Sequence, residues 1–181
     1  MPHDLPSPWA EFLAEVDDSL PGPVQLHCGG GFVLTVCYGV PRVTGDVDCV
    51  RIVPRDQVRV LQRMAGEDSQ LARNHRVHLQ YSAVATLPDS YDTRLTEPFR
   101  GRFKRLRVFV LDPYDLVLSK LERNSPKDRE DVAYLARALS LDPAVLRERY
   151  QREFRPYLLA RHEWHDQTLE MWIEAYFASP G

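Results

Sequence analysis

A chain of 181 residues, 44% hydrophobic and 27% charged, is long enough to bury a core and is composed like an ordinary globular protein, which excludes wholesale disorder. Its formal charge of -3 excludes a global pull toward nucleic acid or anionic membrane, so any polyanion contact has to be local. The opening segment lacks the basic and apolar stretches of a signal peptide, and no uninterrupted apolar run reaches about 18 residues, so a cytoplasmic chain without membrane insertion is expected.

Trp9, Phe12, Leu13, Val16 and Leu20 recur at helical spacing after Ser7 and Pro8, which predicts a helix over residues 8–20, stopped by Pro21-Gly22-Pro23. Residues 24–28 read as a short buried strand. Gly29-Gly30-Gly31 then turns the chain into a second helix that runs to Tyr38 and ends at Gly39 and Pro41. Residues 46–53 form the next strand, bounded by Pro54. A helix is expected over residues 55–64, with Val58, Leu61 and Met64 on one face, followed by a polar link. Strands over residues 77–86 and 105–111 are separated by a loop bearing proline and tyrosine.

From Asp112 onward only helices are expected. Asp112-Pro113, Ser125-Pro126 and Asp142-Pro143 each join a capping side chain to a proline at the first helical position. The first of these opens a helix over residues 113–123, and Leu169, Trp172, Ile173 and Tyr176 give residues 168–177 an amphipathic face. The chain is therefore α/β (α+β), with a mixed sheet flanked by helices in residues 1–111 and an all-helical C-terminal region, residues 112–181, packed on that core. Cys28, Cys37 and Cys49 are an odd set among apolar neighbours and read as buried, reduced thiols.

Chemistry concentrates in the second strand. Asp46 and Asp48 are two positions apart, so on a strand they share one face. Two carboxylates held that close repel, and a stable charged pair implies a cation or basic groups beside them, which outlines a divalent-metal site for Mg²⁺ or Mn²⁺. Gly30 and Gly31 let backbone approach a ligand, and the helix that opens there presents unpaired N–H groups to a phosphate. A plain strand-to-helix turn explains the glycines equally well, and a solvated edge strand explains the acids taken singly. Together they form a phosphate cradle beside a metal site.

Arg42 and Thr44 are candidates to contact phosphate or orient the acids, although an exposed arginine after a proline turn is common. Lys120 lies in an apolar helix, where a snorkelling surface lysine is the usual case. Aimed at the two acids, it would instead neutralise phosphate charge. Asp128 and Asp131 fall in a first helical turn, where acids favour the helix dipole. His162 and His165 are three apart, and the intervening Glu163 is misplaced for a zinc helix. No Gly-x-Ser-x-Gly occurs, so serine hydrolysis is unsupported.

The run Gly30-Gly31, an apolar helix, Arg42-x-Thr44-x-Asp46-x-Asp48, then Pro113-x-Asp115-Leu116 leading to Lys120-Leu121, and Lys127-Asp128-x-x-Asp131 resembles the nucleotidyltransferase superfamily, specifically its AbiEii-like toxin branch. The resemblance spans residues 30–131. It implies a polymerase-beta-like mixed sheet, Asp46 and Asp48 as magnesium ligands, Gly30 and Gly31 against a nucleoside triphosphate, and Lys120 and Asp128 in the same site. In that family an acceptor oxygen attacks the α-phosphorus and pyrophosphate leaves.

The acceptors implied are RNAs, particularly tRNA ends, or a protein, and a cognate antitoxin is the implied protein partner. One departure stands out: superfamily members usually carry a third carboxylate on a later strand, and residues 77–86 and 108–110 have none, leaving either His78 or Asp128 to substitute or the second metal missing. A catalytically degenerate module that binds a nucleotide or a partner is the alternative, and phosphoester hydrolysis by the same two acids is a third. The basic stretch at residues 100–107 is either an RNA contact or a solvated strand edge.

Overall fold

The computed structural model describes residues 4–82 and 86–177. Their contacts gather into two units, one of residues 4–82 and 95–111, the other of residues 86–94 and 112–177.

The first unit is a four-stranded mixed sheet with helices. β1 (Val24–Cys28) pairs antiparallel with β2 (Asp46–Val53) and parallel with β4 (Leu106–Val110), while β2 pairs parallel with β3 (His78–Tyr81), giving the order β3-β2-β1-β4. The helices are α1 (Trp9–Ser19), α2 (Gly30–Tyr38), α3 (Gln57–Ala65) and α4 (Gln70–His75). α1 buries the spaced set Trp9, Phe12, Leu13 and Val16, each such side chain contributing about 1.5–3 kcal/mol of transfer free energy. Trp9 meets Phe32 of α2, with ring centroids 5.9 Å apart.

Three sequence expectations change here. The polar link after α3 contains α4, which the Ser69 hydroxyl caps by accepting from Ala72 N at 3.0 Å. β3 is shorter than expected, and residues 83–85 of that expected strand lie outside the described residues. Cys28 and Cys49 are buried register partners with sulfurs 3.6 Å apart, but Cys37 is only partly buried.

The second unit is helical: α5 (Pro113–Ser119), α6 (Pro126–Ala138), α7 (Pro143–Arg149) and α8 (His162–Tyr176). All three expected starts are made by their caps. Asp112 accepts from Tyr114 N at 2.9 Å, Ser125 and Asp128 form a capping box, and Asp142 accepts from Ala144 N at 2.8 Å. α5 stops short of the expected Arg123, and α8 begins six residues before the expected Thr168. Residues 86–94 join this unit through Arg94 and through Asp89 N, which donates to the Glu153 carbonyl at 2.8 Å. Among the described residues no helix is long and apolar enough to cross a membrane.

Candidate active site

The candidate site is built where α2 opens beside β2. Along β2, Val47 and Cys49 are buried while Asp46 and Asp48 on the other face are partly exposed, as a period of two requires. The turn is fastened to Asp48 twice: Gly29 N donates to the Asp48 carbonyl at 3.0 Å and Gly31 N to Asp48 Oδ2 at 3.1 Å. Gly30 has φ +62°, and a β-carbon there would lie 1.9 Å from Asp48 Oδ2. Only glycine satisfies both conditions. A β-carbon at Gly31 would lie 3.1 Å from Thr44 Oγ1, and that hydroxyl accepts from Asp46 N at 3.3 Å.

Asp46 has a cross-strand companion. It is the register partner of His78 in the parallel β2–β3 ladder, and Asp46 Oδ1 lies 3.2 Å from His78 Nε2. The two side chains are 43% and 21% exposed, so the pair opens to solvent. Beyond His78 lies a cleft of about 310 Å³, lined with polar groups that include Gln62, Glu67, Asp68, Gln80 and Tyr81.

A family model described as "Nucleotidyltransferase of unknown function (DUF6036)" matches residues 19–177. The chain belongs to this nucleotidyltransferase family. No curated protein and no solved structure matches it. In this family member, β3 (His-Leu-Gln-Tyr) and β4 (Leu-Arg-Val-Phe-Val) carry no carboxylate. Among the described residues no three His, Cys, Asp or Glu side chains gather into a ready-made metal centre.

Of the residues singled out from sequence, Gly30, Gly31, Thr44, Asp46 and Asp48 are neighbours at this turn. Arg42 is half-buried, and its carbonyl accepts from Thr35 Oγ1 at 3.4 Å. Lys120 and Asp128 belong to the helical unit, and there they meet each other. Lys120 is no snorkelling surface lysine: it is 6% exposed and donates to Asp131 Oδ2 at 2.7 Å and Asp128 Oδ1 at 3.4 Å. Arg123 adds two bonds to Asp128, at 2.7 and 2.5 Å. Burial alone would raise the Asp128 pKa, but Arg123, Ser125 and Lys120 hold it well below the ordinary carboxylate range.

Two further polar centres of the family member are formed by long-range partners that no local sequence signal paired, although Asp115 itself stands in the Pro113-x-Asp115-Leu116 motif. Asp115, fully buried, is clamped by Arg94 at 3.0 and 3.1 Å and by Arg149 at 2.9 Å; burial nonetheless pushes its carboxyl above its ordinary value. Asp17, at the end of α1, accepts from Lys104 N, Arg105 N and Leu106 N at 2.9, 2.7 and 2.7 Å. Burial opposes its ionisation, and the three amides reverse that, holding its pKa below the usual value.

Proposed function

We propose that this chain is a divalent-metal-dependent nucleotidyltransferase that moves a nucleoside monophosphate from a nucleoside triphosphate onto an RNA, a tRNA end included, or a protein acceptor. In this reading it acts in the cytoplasm as an AbiEii-like toxin restrained by a cognate antitoxin. The observation that carries the proposal is the contact of Asp48 with the bare Gly30-Gly31 turn, beside Asp46 on the same strand face. Transfer of a nucleotidyl group needs an anion cradle and carboxylates for a cation within one small space, and these residues supply both kinds of group.

The donor set fits a hard cation of the Mg²⁺ type, which is ordinarily held by one or two carboxylates and completed by substrate phosphates rather than by an all-protein cage. Asp46 and Asp48 would hold it. When bound, such an ion neutralises charge on the triphosphate as the acceptor oxygen displaces pyrophosphate. The chain's own groups do the positioning. Gly30 keeps the turn free of side-chain atoms, the Gly31 N–H at the start of α2 holds the Asp48 carboxylate in place, and Thr44 fixes the backbone at Asp46. Arg42 is the proposed phosphate contact, and Lys120 and Asp128 enter as catalytic residues on the superfamily resemblance. The exposed Arg100, Arg102, Lys104, Arg105 and Arg107 are the proposed RNA contact.

A degenerate, non-catalytic nucleotide- or partner-binding module is the second reading, favoured by the lack of a carboxylate on β3 and β4. Incubating the protein with each α-labelled triphosphate, total cellular RNA and Mg²⁺ or Mn²⁺ decides between them. Label transferred to RNA or protein, and lost in Asp46→Ala and Asp48→Ala variants, supports the transferase. Calorimetric binding of the metal and nucleotide without transfer supports the module, and release of free monophosphate or phosphate without acceptor labelling supports hydrolysis.

A further inference from the structure

We propose that His78 is a protein ligand of the divalent ion at Asp46, and that its imidazole tilts the site toward Mn²⁺ over Mg²⁺. This rests on the transferase reading and names a residue and a metal preference that the reading leaves open.

The geometry begins in the sheet. β3 runs parallel to β2 with His78 in register with Asp46, and His78 N donates to the Gly45 carbonyl at 2.8 Å, so the strand delivers the imidazole to the first acid and fixes its backbone there. Nε2 and Oδ1 then stand 3.2 Å apart. Two adjacent ligands of an octahedral ion, each about 2.1–2.2 Å from the metal, lie roughly 3 Å from each other, so the pair already has the bite of a cis ligand set. His78 also stands on the strand where a third carboxylate is absent, and Gln80, the register partner of Asp48, is neutral.

The bland account of the same contact is a surface ion pair, which contributes only about 0–1 kcal/mol. A stability role therefore explains little of why this side chain is held against Asp46. Asp48 differs, because one of its oxygens is occupied by Gly31 N. His78 is joined by its ion pair to Asp46, its register partner.

The choice of element follows from the nitrogen. Carboxylates, phosphates and water satisfy Mg²⁺ and Mn²⁺ alike, whereas replacing one oxygen by imidazole disfavours the harder Mg²⁺, so that of these two octahedral ions Mn²⁺ loses less. Exchanging Mg²⁺ for Mn²⁺ at a His78-bearing site should therefore tighten binding.

The test uses full-length protein, Mn²⁺ and inorganic tripolyphosphate, a mimic of the triphosphate that contains no nitrogen. Electron spin-echo spectroscopy of that sample should show a directly bound nitrogen, which changes to the ¹⁵N pattern when only histidine is ¹⁵N-labelled. In His78→Gln the coupling should vanish and the Mn²⁺ Kd should weaken roughly tenfold or more. In His78→Asp, binding should persist with the Mn²⁺-over-Mg²⁺ preference reduced. If His78→Gln fails to fold by circular dichroism, the isotope exchange in the unmodified protein decides alone. Mn²⁺ binding that depends on Asp46 but shows no histidine coupling overturns the His78 assignment and leaves the transferase reading standing. No Mn²⁺ or Mg²⁺ binding by the unmodified protein, with or without tripolyphosphate, overturns both.

Discussion

The Asp48 carboxylate fills the space that a side chain on Gly30 would need: a β-carbon there would stand 1.9 Å from Oδ2, at a backbone φ of +62°. Gly30→Ala therefore either displaces the acid or unwinds the turn. We expect it to destabilise the protein by about 3 kcal/mol, combining steric overlap with left-handed strain, and to lower transferase activity by at least a hundredfold. Gly31→Ala meets only Thr44 Oγ1 at 3.1 Å, and a shift of a few tenths of an ångström accommodates it at a cost of about 1 kcal/mol. Urea denaturation of both variants checks the contrast; equal losses would contradict it.

Lys120 is matched by Asp128 and Asp131 inside the helical unit. Truncation in Lys120→Ala leaves two buried acids short of their cation and should cost about 3–5 kcal/mol. Lys120→Met combined with Asp131→Leu removes opposite charges together and should recover most of that loss. This double variant also separates the two roles of the lysine. Restored stability with abolished nucleotide transfer assigns Lys120 to catalysis, and restored stability with retained transfer assigns it to the fold alone.

Asp17 should be worth more than any surface acid of the first unit, because three amides donate to it. Asp17→Ala leaves those amides without their acceptor and should cost about 3 kcal/mol, with Asp17→Asn costing about half as much because one oxygen remains. Thermal unfolding of the two variants measures both.

Acid should unfold the helical unit through carboxylates whose folded pKa lies below the unfolded one. Asp166, hydrogen-bonded by Arg155, falls to about 2 from an ordinary 3.8, despite slight opposition from burial and with help from the Tyr150 hydroxyl. Asp128 is depressed as well, its partners outweighing burial. A depressed carboxylate stabilises fully above its unfolded pKa, and that contribution disappears as pH falls through the folded value. Stability should thus decline between about pH 4 and pH 2, and Asp166→Asn should flatten the decline. Urea midpoints measured across that range test it.

What could be read from sequence was what is local. The Asp46/Asp48 spacing fixes a shared face through strand period alone, and the three Asp-Pro or Ser-Pro starts carry their own capping chemistry. The glycine turn was legible for a similar reason: positive φ and close approach both demand glycine, and Asp48 lies only 17 residues on. α4 escaped because six polar-flanked residues give too few turns for a periodic signal, and its start rests on a single serine cap. Asp17, Arg94 and Arg149 escaped because their partners lie 21 to 89 residues away, and nothing in a window of sequence pairs them. His78 was named from sequence as a substitute for a missing acid, but its place opposite Asp46 was not legible, since a parallel register is set by tertiary packing.

The three amides gathered by Asp17 belong to residues 104–106, within the basic stretch of residues 100–107. On the proposed RNA-contact reading, because their main chain is already pinned, an arriving polyphosphate would meet positive charges at set intervals instead of a floppy arm that must order itself on contact. Only the side-chain torsions would then lose freedom, which favours quick, salt-sensitive capture over a slow fold-upon-docking process.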